Sequence, residues 1–114
     1  MPKYIALMAL VATAAFAQPQ PEVDALLTRL GASNCEFNRN GSWYPGAEAR
    51  AHLQKKLDYL QGKGRINTTE DFIRLAASGS SVSGQPYQVR CPGRPAVPSE
   101  QWLQQQLQAV RGGG

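Results

Sequence analysis

The sequence is poor in metal ligands, in charge and in long apolar runs. Its 114 residues include one histidine and two cysteines, and 18% of them are charged. So few histidines and cysteines argue against a dedicated metal cage, and we expect no metal and no cofactor. A hydrophobic share of 42% excludes a highly charged disordered tail, and the length excludes a large multidomain enzyme. The 11 glycines and 8 prolines predict several turns without any repeat.

The longest apolar run lies at the N-terminus and has the pattern of a secretory signal peptide. Lys3 precedes an apolar stretch over residues 4–16, and the small residues Ala15 and Ala17 stand before Gln18. We expect cleavage after Ala17. An uncleaved anchor is the alternative, but the run has 13 residues, and a bilayer-spanning helix needs about 20. We therefore expect an exported chain with no stable membrane anchor.

Positive charge exceeds negative charge only slightly. Without residues 1–17, the chain has 11 Lys and Arg residues and 8 Asp and Glu residues. The basic residues are scattered, whereas nucleic-acid binders carry them in dense blocks. We therefore expect no nucleic-acid partner. The small positive excess leaves two interpretations, which are weak attraction to anionic envelope polymers or lipid headgroups and an ordinary mixed-charge surface.

The two cysteines predict one disulfide. An even cysteine count in a small exported protein is typical of a bridge, and only Cys35–Cys91 is available. Such a bridge closes a loop of more than fifty residues, which the chain-entropy model rates at roughly 4 kcal/mol. The alternative is a reactive thiol with His52 as its base, but no Cys-x-x-Cys motif is present.

Apolar residues at helical spacing predict about four helices. The first two cover residues 22–30 and 47–60. A third begins near 67–70, where Asn67 and Glu70 fit a capping pattern, and it ends before Gly79. The last helix begins with Ser99 as its cap and carries a glutamine-rich outer face.

Two short segments predict strands. Tyr87, Val89 and Cys91 alternate with polar residues over 86–91, and 35–37 is apolar enough to pair with them. Residues 34–46 otherwise read as irregular, with a turn at Asn40-Gly41, and 92–98 read as a linker. The predicted fold is mainly helical α+β, with a two-stranded antiparallel ribbon in a single domain over 18–111 and a disordered tail at 112–114.

Three polar groups are candidates for a site. Glu48, His52 and Lys55 fall along one helical face and suit general-base chemistry, although such spacing is common on ordinary helices. A serine-rich loop over 78–84 suits anion binding or a nucleophile, or simply ends a helix. Arg39, beside the Asn40-Gly41 turn, can donate two parallel hydrogen bonds to a carboxylate or phosphate. The disulfide would hold the Arg39 turn and the serine loop on the same side of the fold as His52.

The order of these motifs resembles the YfeK-like family of small exported proteins from Gram-negative bacteria, a group with a domain of unknown function. The residues that carry the resemblance are Cys35, Phe37, Arg39-Asn40-Gly41, Glu48-Ala49, His52-Leu53, Lys56, Glu70-Asp71-Phe72-Ile73, Ala77-Ser78, Ser80-Ser81, Ser83-Gly84, Pro86-Tyr87 and Trp102-Leu103. The resemblance implies a periplasmic setting and one small domain. It implies no reaction, ligand or catalytic residue.

The predicted function is a non-catalytic binding module for a small anionic or peptide-like envelope ligand or for a protein partner. The residues expected to bind are Arg39, Asn40, Glu48, His52, Lys56, Ser80, Ser81 and Ser83. The alternative is a small hydrolase with Ser80, Ser81 or Ser83 as nucleophile and His52 as base. A third class is a structural module that meets its partner through the glutamine-rich last helix.

Overall fold

A computed structural model describes residues 19–113 as four helices and four strands. The predicted signal peptide and Gly114 lie outside the described residues, so the signal peptide stays a prediction. In chain order the elements are α1 (Pro19–Ala32), β1 (Glu36–Arg39), β2 (Ser42–Pro45), α2 (Gly46–Gly62), α3 (Thr69–Ala76), β3 (Gln88–Arg90), β4 (Val97–Pro98) and α4 (Ser99–Arg111).

The strands form one antiparallel sheet in the order β2-β1-β3-β4. Phe37 pairs with Val89 across β1 and β3, which confirms the predicted pairing of these two segments. The prediction of a ribbon with only two strands is wrong, because β2 and β4 extend the sheet on either side. The mainly helical α+β class and the four helices are confirmed for the described residues.

The two strands missing from the prediction are short and do not alternate in burial. In β2 both Trp43 and Tyr44 are half-buried, so the strand has no clean inside and outside face. It forms because Asn40 and Gly41 have positive φ angles of 54° and 89°, the backbone that a two-residue hairpin turn requires. Strand β4 has two residues, and one of them is Pro98, which cannot donate to a ladder.

The helices cover the sheet through the apolar stripes that predicted them. The stripe of α1 is Val23, Leu26, Leu27 and Leu30, and all four residues are buried. Helix α1 packs on the other three helices, α2 contacts β1 and β2, and α4 contacts β3 and β4. A methyl group at Gly46 would overlap the Leu30 carbonyl oxygen, so the first residue of α2 has to be glycine for α1 and α2 to meet this closely.

Two predicted helix caps need correction. Helix α3 is capped by Thr68, whose hydroxyl accepts from the Asp71 N–H at 3.0 Å, so the capping box lies one residue after the predicted Asn67 and Glu70. Ser99 is the first residue of α4 and not its cap, because β4 runs straight into the helix and leaves Pro98 at the cap position. Within the described chain the Ser99 hydroxyl is buried without a hydrogen-bond partner.

The Cys35–Cys91 disulfide is present, as predicted. It joins the residue before β1 to the residue after β3, beside the Glu36–Arg90 pair that ends this ladder. The bridge therefore fixes the register between two segments that are 56 residues apart in the chain. Within 19–113, no helix combines the length and the apolar character that a membrane crossing requires.

Candidate functional site

Three segments bring polar groups together around the hydroxyl of Tyr87. Lys56 Nζ donates to Tyr87 Oη at 3.2 Å and to the Gly79 carbonyl oxygen at 2.8 Å. His52 Nε2 lies 3.2 Å from the same Tyr87 Oη. We call His52, Lys56, Tyr87 and the neighbouring Arg39 the Tyr87 cluster.

Three members of the cluster, His52, Lys56 and Tyr87, are held by ordinary features of the fold. His52 and Lys56 are four residues apart on α2 and so share one face of the helix. Tyr87 is 2% exposed, and its ring packs on Phe37 with 5.0 Å between ring centroids. The Tyr87 N–H donates to the Ser78 carbonyl oxygen, and its own carbonyl accepts from the Ser99 N–H. The phenol is thus fixed at both ring and backbone.

The serine loop is tied to the tip of the β1–β2 hairpin. Ser83 Oγ donates to Asn40 Oδ1 at 2.8 Å, which joins the two turns directly. Ser80 Oγ accepts from the N–H groups of Val82 and Ser83 at 3.2 and 3.1 Å, and so it holds the loop in shape. Ser81 is exposed and lines a cavity of about 280 Å³ with Lys56 and Tyr59.

Burial and the nearby positive charges lower the pKa of His52 and Lys56 in the cluster. Burial, and then the positive charges of Arg39, Lys56 and Lys55, lower the pKa of His52 below 6.5. Burial, and then Arg39, lower the pKa of Lys56. Burial raises the pKa of Tyr87, and Arg39 partly opposes that shift. The cluster therefore holds its imidazole in the neutral form near neutral pH, and its lysine is less basic than a free one.

Ion pairing in residues 19–113 takes place elsewhere on the surface. The pairs are Arg74–Asp71, Arg90–Glu36, Arg111–Glu22 and Arg111–Glu70. None of them includes Arg39, Lys55 or Lys56. Arg39 instead lies over the ring of Tyr44, with its guanidinium carbon 5.2 Å from the ring centroid. The face around Tyr87 thus carries positive charge without a paired carboxylate in the described chain.

Three residues expected at the site make no hydrogen bond to the Tyr87 cluster in the described structure, namely Glu48, Ser80 and Ser83. Glu48 is exposed and makes no hydrogen bond or ion pair with His52 in the described structure. Across the same residues no serine hydroxyl of the loop hydrogen-bonds to the imidazole, since Ser80 bonds within the loop and Ser83 bonds to Asn40. No group of three or more His, Cys, Asp or Glu side chains that could hold a metal ion occurs among the described residues.

Comparison with known proteins identifies the family. A family model described as "Family of unknown function (DUF5329)" matches residues 17–111. The chain belongs to the DUF5329 family. A relative in Salmonella typhimurium, "Uncharacterized protein YfeK", is 38% identical over 72 residues, which are 62% of this chain and 58% of the relative. The chain thus aligns with less than two thirds of that relative's length. These matches confirm the resemblance to YfeK-like proteins. No solved structure matches the chain.

The DUF5329 match covers every described helix and strand, and therefore the whole Tyr87 cluster. Sequence reasoning missed two members of the site, the Tyr87 hydroxyl and the Gly79 carbonyl. The alternating pattern over 86–91 predicts Tyr87 only as an inward residue of a strand, which accounts for its buried ring but not for its hydroxyl. The sequence offers one weak signal for it, namely that Tyr87 follows the serine loop by only a few residues.

Proposed function

We propose that this DUF5329 protein is a non-catalytic binding protein whose ligand carries an oxyanion, a carboxylate or a phosphate, held at the Tyr87 cluster. One observation carries the proposal. The half-buried ammonium of Lys56 donates to two neutral oxygens, Tyr87 Oη and the Gly79 carbonyl, and has no carboxylate in the described chain within ion-pair distance. A partly buried charge that lacks a counter-charge is costly, and a bound oxyanion would supply one.

The donors around Lys56 suit an oxyanion. The ammonium has a third N–H beyond the two in use, and the planar guanidinium of Arg39 can donate two parallel hydrogen bonds. In the tautomer with its proton on Nδ1, neutral His52 accepts a hydrogen bond from the Tyr87 hydroxyl at Nε2. When His52 is protonated, Nε2 donates to Tyr87 Oη instead. Protonation of His52 therefore adds a positive charge to the cluster.

The cavity beside Lys56 indicates room for more than the anionic group. Its volume is about 280 Å³, and Tyr59 and Leu60 form an apolar part of its wall next to Lys56. Tyr59 is 65% exposed, so its ring is open to a ligand. These features favour a small ligand with one charged end and an apolar portion, the class that includes short peptide carboxylates and organic phosphates.

We favour binding over the hydrolase alternative because the imidazole nitrogen that would act as base faces Tyr87. A nucleophile and its base need to lie within hydrogen-bond reach. The disulfide and the N-terminal pattern of residues 1–17 support the further proposal that the protein is exported to the periplasm.

The binding proposal is tested by titrating the purified protein with phosphate, sulfate and acetate at constant ionic strength, using calorimetry. We expect saturable binding, weakened about tenfold or more by Lys56→Gln, since a charge-assisted hydrogen bond is lost. The control is Arg65→Gln, which removes one positive charge from an exposed residue just after α2 that does not line this cavity. If no oxyanion binds, or if both variants bind equally, the proposal is wrong.

A separate experiment addresses hydrolysis. A serine-directed covalent probe is applied to the oxidised protein and to His52→Ala. We expect no specific labelling of Ser80, Ser81 or Ser83. Labelling of one of these serines that disappears in His52→Ala would establish the hydrolase and reject the non-catalytic role.

A further inference from the structure

A second and larger cavity lies between α4 and the β3–β4 end of the sheet. Its volume is about 520 Å³, within the range of small-molecule sites. Much of its wall is apolar and comes from the disulfide, Val89, Pro95, Val97 and Trp102. None of the residues that line it belongs to the Tyr87 cluster, so the two sites are separate.

The wall of this cavity carries a single kind of charge. Arg94 is the one charged residue among those that line it, and the other polar ones are the glutamines Gln101, Gln105 and Gln106. Arg94 is exposed and forms no ion pair within the described chain. Glu36, which lines a neighbouring cavity together with Arg94, is already paired with Arg90 at 2.8 Å.

The cavity is held in place by covalent and hydrogen-bonded structure. The Cys35–Cys91 bond forms one part of the wall, and the Arg94 N–H donates to the Cys91 carbonyl oxygen at 3.0 Å. Gln101 and Gln105 are four residues apart on α4, so both amides stand on the same side of the helix. These glutamines belong to the glutamine-rich face of α4, which takes no part in the Tyr87 cluster. A preformed pocket costs little ordering when a ligand enters it.

We propose that this cavity binds a small molecule with an apolar body and one carboxylate, a medium-chain fatty acid or a molecule of similar chemistry. The apolar body packs against Val89, Val97 and Trp102. The carboxylate accepts two hydrogen bonds from the Arg94 guanidinium at the mouth of the cavity. The amides of Gln101 and Gln105 contact the polar end of the ligand. Charge complementarity selects a carboxylate, because the lining of the cavity contains a positive charge and no negative one.

The test uses Trp102 as an internal reporter. Trp43→Phe removes the other tryptophan, so all remaining indole fluorescence and the remaining indole N–H signal come from Trp102. Decanoate and decanol are titrated separately below their aggregation limits. We expect decanoate to change the Trp102 emission and N–H signal saturably, and decanol to bind about tenfold more weakly because it lacks the charge.

Two arginine variants complete the test. Arg94→Gln in the Trp43→Phe background is expected to weaken decanoate binding about tenfold and to leave decanol binding unchanged. Arg74→Gln is the matched control, because Arg74 is exposed on α3 and does not line the cavity. The proposal is overturned if decanol binds as tightly as decanoate, if Arg94→Gln has no effect, or if neither Trp102 signal responds to decanoate.

Discussion

Lys56 Nζ lies 3.2 Å from Tyr87 Oη and 4.9 Å from the centroid of the same ring, so the ammonium meets the phenol at its oxygen end. The two residues are 31 positions apart in the chain. Their contact joins α2 to the segment that leads into β3. The phenol therefore links the stability of the fold to the candidate oxyanion site.

Removal of the Tyr87 hydroxyl is expected to cost stability. Tyr87→Phe keeps the buried ring but leaves Lys56 and His52 without their shared partner, so the free energy of unfolding should fall by about 1–2 kcal/mol. Urea denaturation followed by circular dichroism measures the change. The matched control is Tyr59→Phe, whose side chain is exposed, and it should alter the free energy by less than about 0.5 kcal/mol. Equal effects of the two substitutions would contradict the role assigned to Tyr87.

Stability should depend on pH through His52. Because its folded-state pKa lies below 6.5, the unfolded chain binds more protons than the folded chain in the interval just below that value. The free energy of unfolding therefore falls as the pH is lowered from about 7 towards 5. His52→Gln, which cannot be protonated, should flatten this dependence. If the pH dependence of the free energy of unfolding persists in His52→Gln, another group causes it and the prediction is wrong.

Helices were predictable from the sequence because each carries a long stripe of buried residues. Val23, Leu26, Leu27 and Leu30 identify α1 without any tertiary information, and the sulfur pairing follows from there being two cysteines. Strand β2 was not predictable from alternation, since Trp43 and Tyr44 are both half-buried. Their pairing with β1 depends on the preceding turn and on a neighbour across the sheet, which a local pattern does not contain.

Arg111 should stabilise the junction of α1, α3 and α4. Its guanidinium bonds to Glu22 and Glu70 at 2.8 Å each, and together with Thr69 it holds the pKa of Glu22 at about 2. Arg111→Gln is expected to lower the free energy of unfolding by about 1 kcal/mol at neutral pH, a value limited by solvent exposure of the arginine. Arg74→Gln, which removes a more exposed arginine, should change it much less.

The effect of Arg111→Gln on the free energy of unfolding should depend on pH in the acid range. Glu22 contributes stability above its ordinary pKa of 4.5, and that contribution is lost as the pH falls towards 2. The difference between wild type and Arg111→Gln should therefore shrink over this interval when measured by urea denaturation at each pH. A difference that stays constant down to pH 2 would show that Arg111 acts by packing and not by charge.

The disulfide should account for a large share of the stability. Serine at both Cys35 and Cys91 is expected to lower the free energy of unfolding by roughly 4 kcal/mol, because the unfolded chain regains the freedom of a long loop. Denaturation of this variant beside the oxidised wild type measures the loss, and intact-mass analysis confirms that the wild type is oxidised. A loss below about 1 kcal/mol would show that the hydrogen bonds of β1 and β3 fix the register without the bridge.

The candidate site was only partly predictable, since its central contacts cross large distances in sequence. Helical spacing places His52 and Lys56 on one face, and turn chemistry identifies Asn40 and the serine loop. The sequence does not show that the Tyr87 hydroxyl lies between the two side chains on α2. That position depends on the β1–β3 register and on the backbone bonds that hold Tyr87 to Ser78 and Ser99.

The most direct test of the oxyanion site uses the single histidine of the chain. The imidazole carbon-bound proton signals of His52 are followed by NMR over a pH titration, with and without phosphate at constant ionic strength. We expect a His52 pKa below 6.5 without phosphate and a higher pKa with it, because a bound anion offsets the positive charges of Arg39 and Lys56. We also expect Lys56→Gln to reduce the phosphate-induced rise. A His52 pKa that phosphate leaves unchanged in the wild type would rule out an oxyanion site at the Tyr87 cluster.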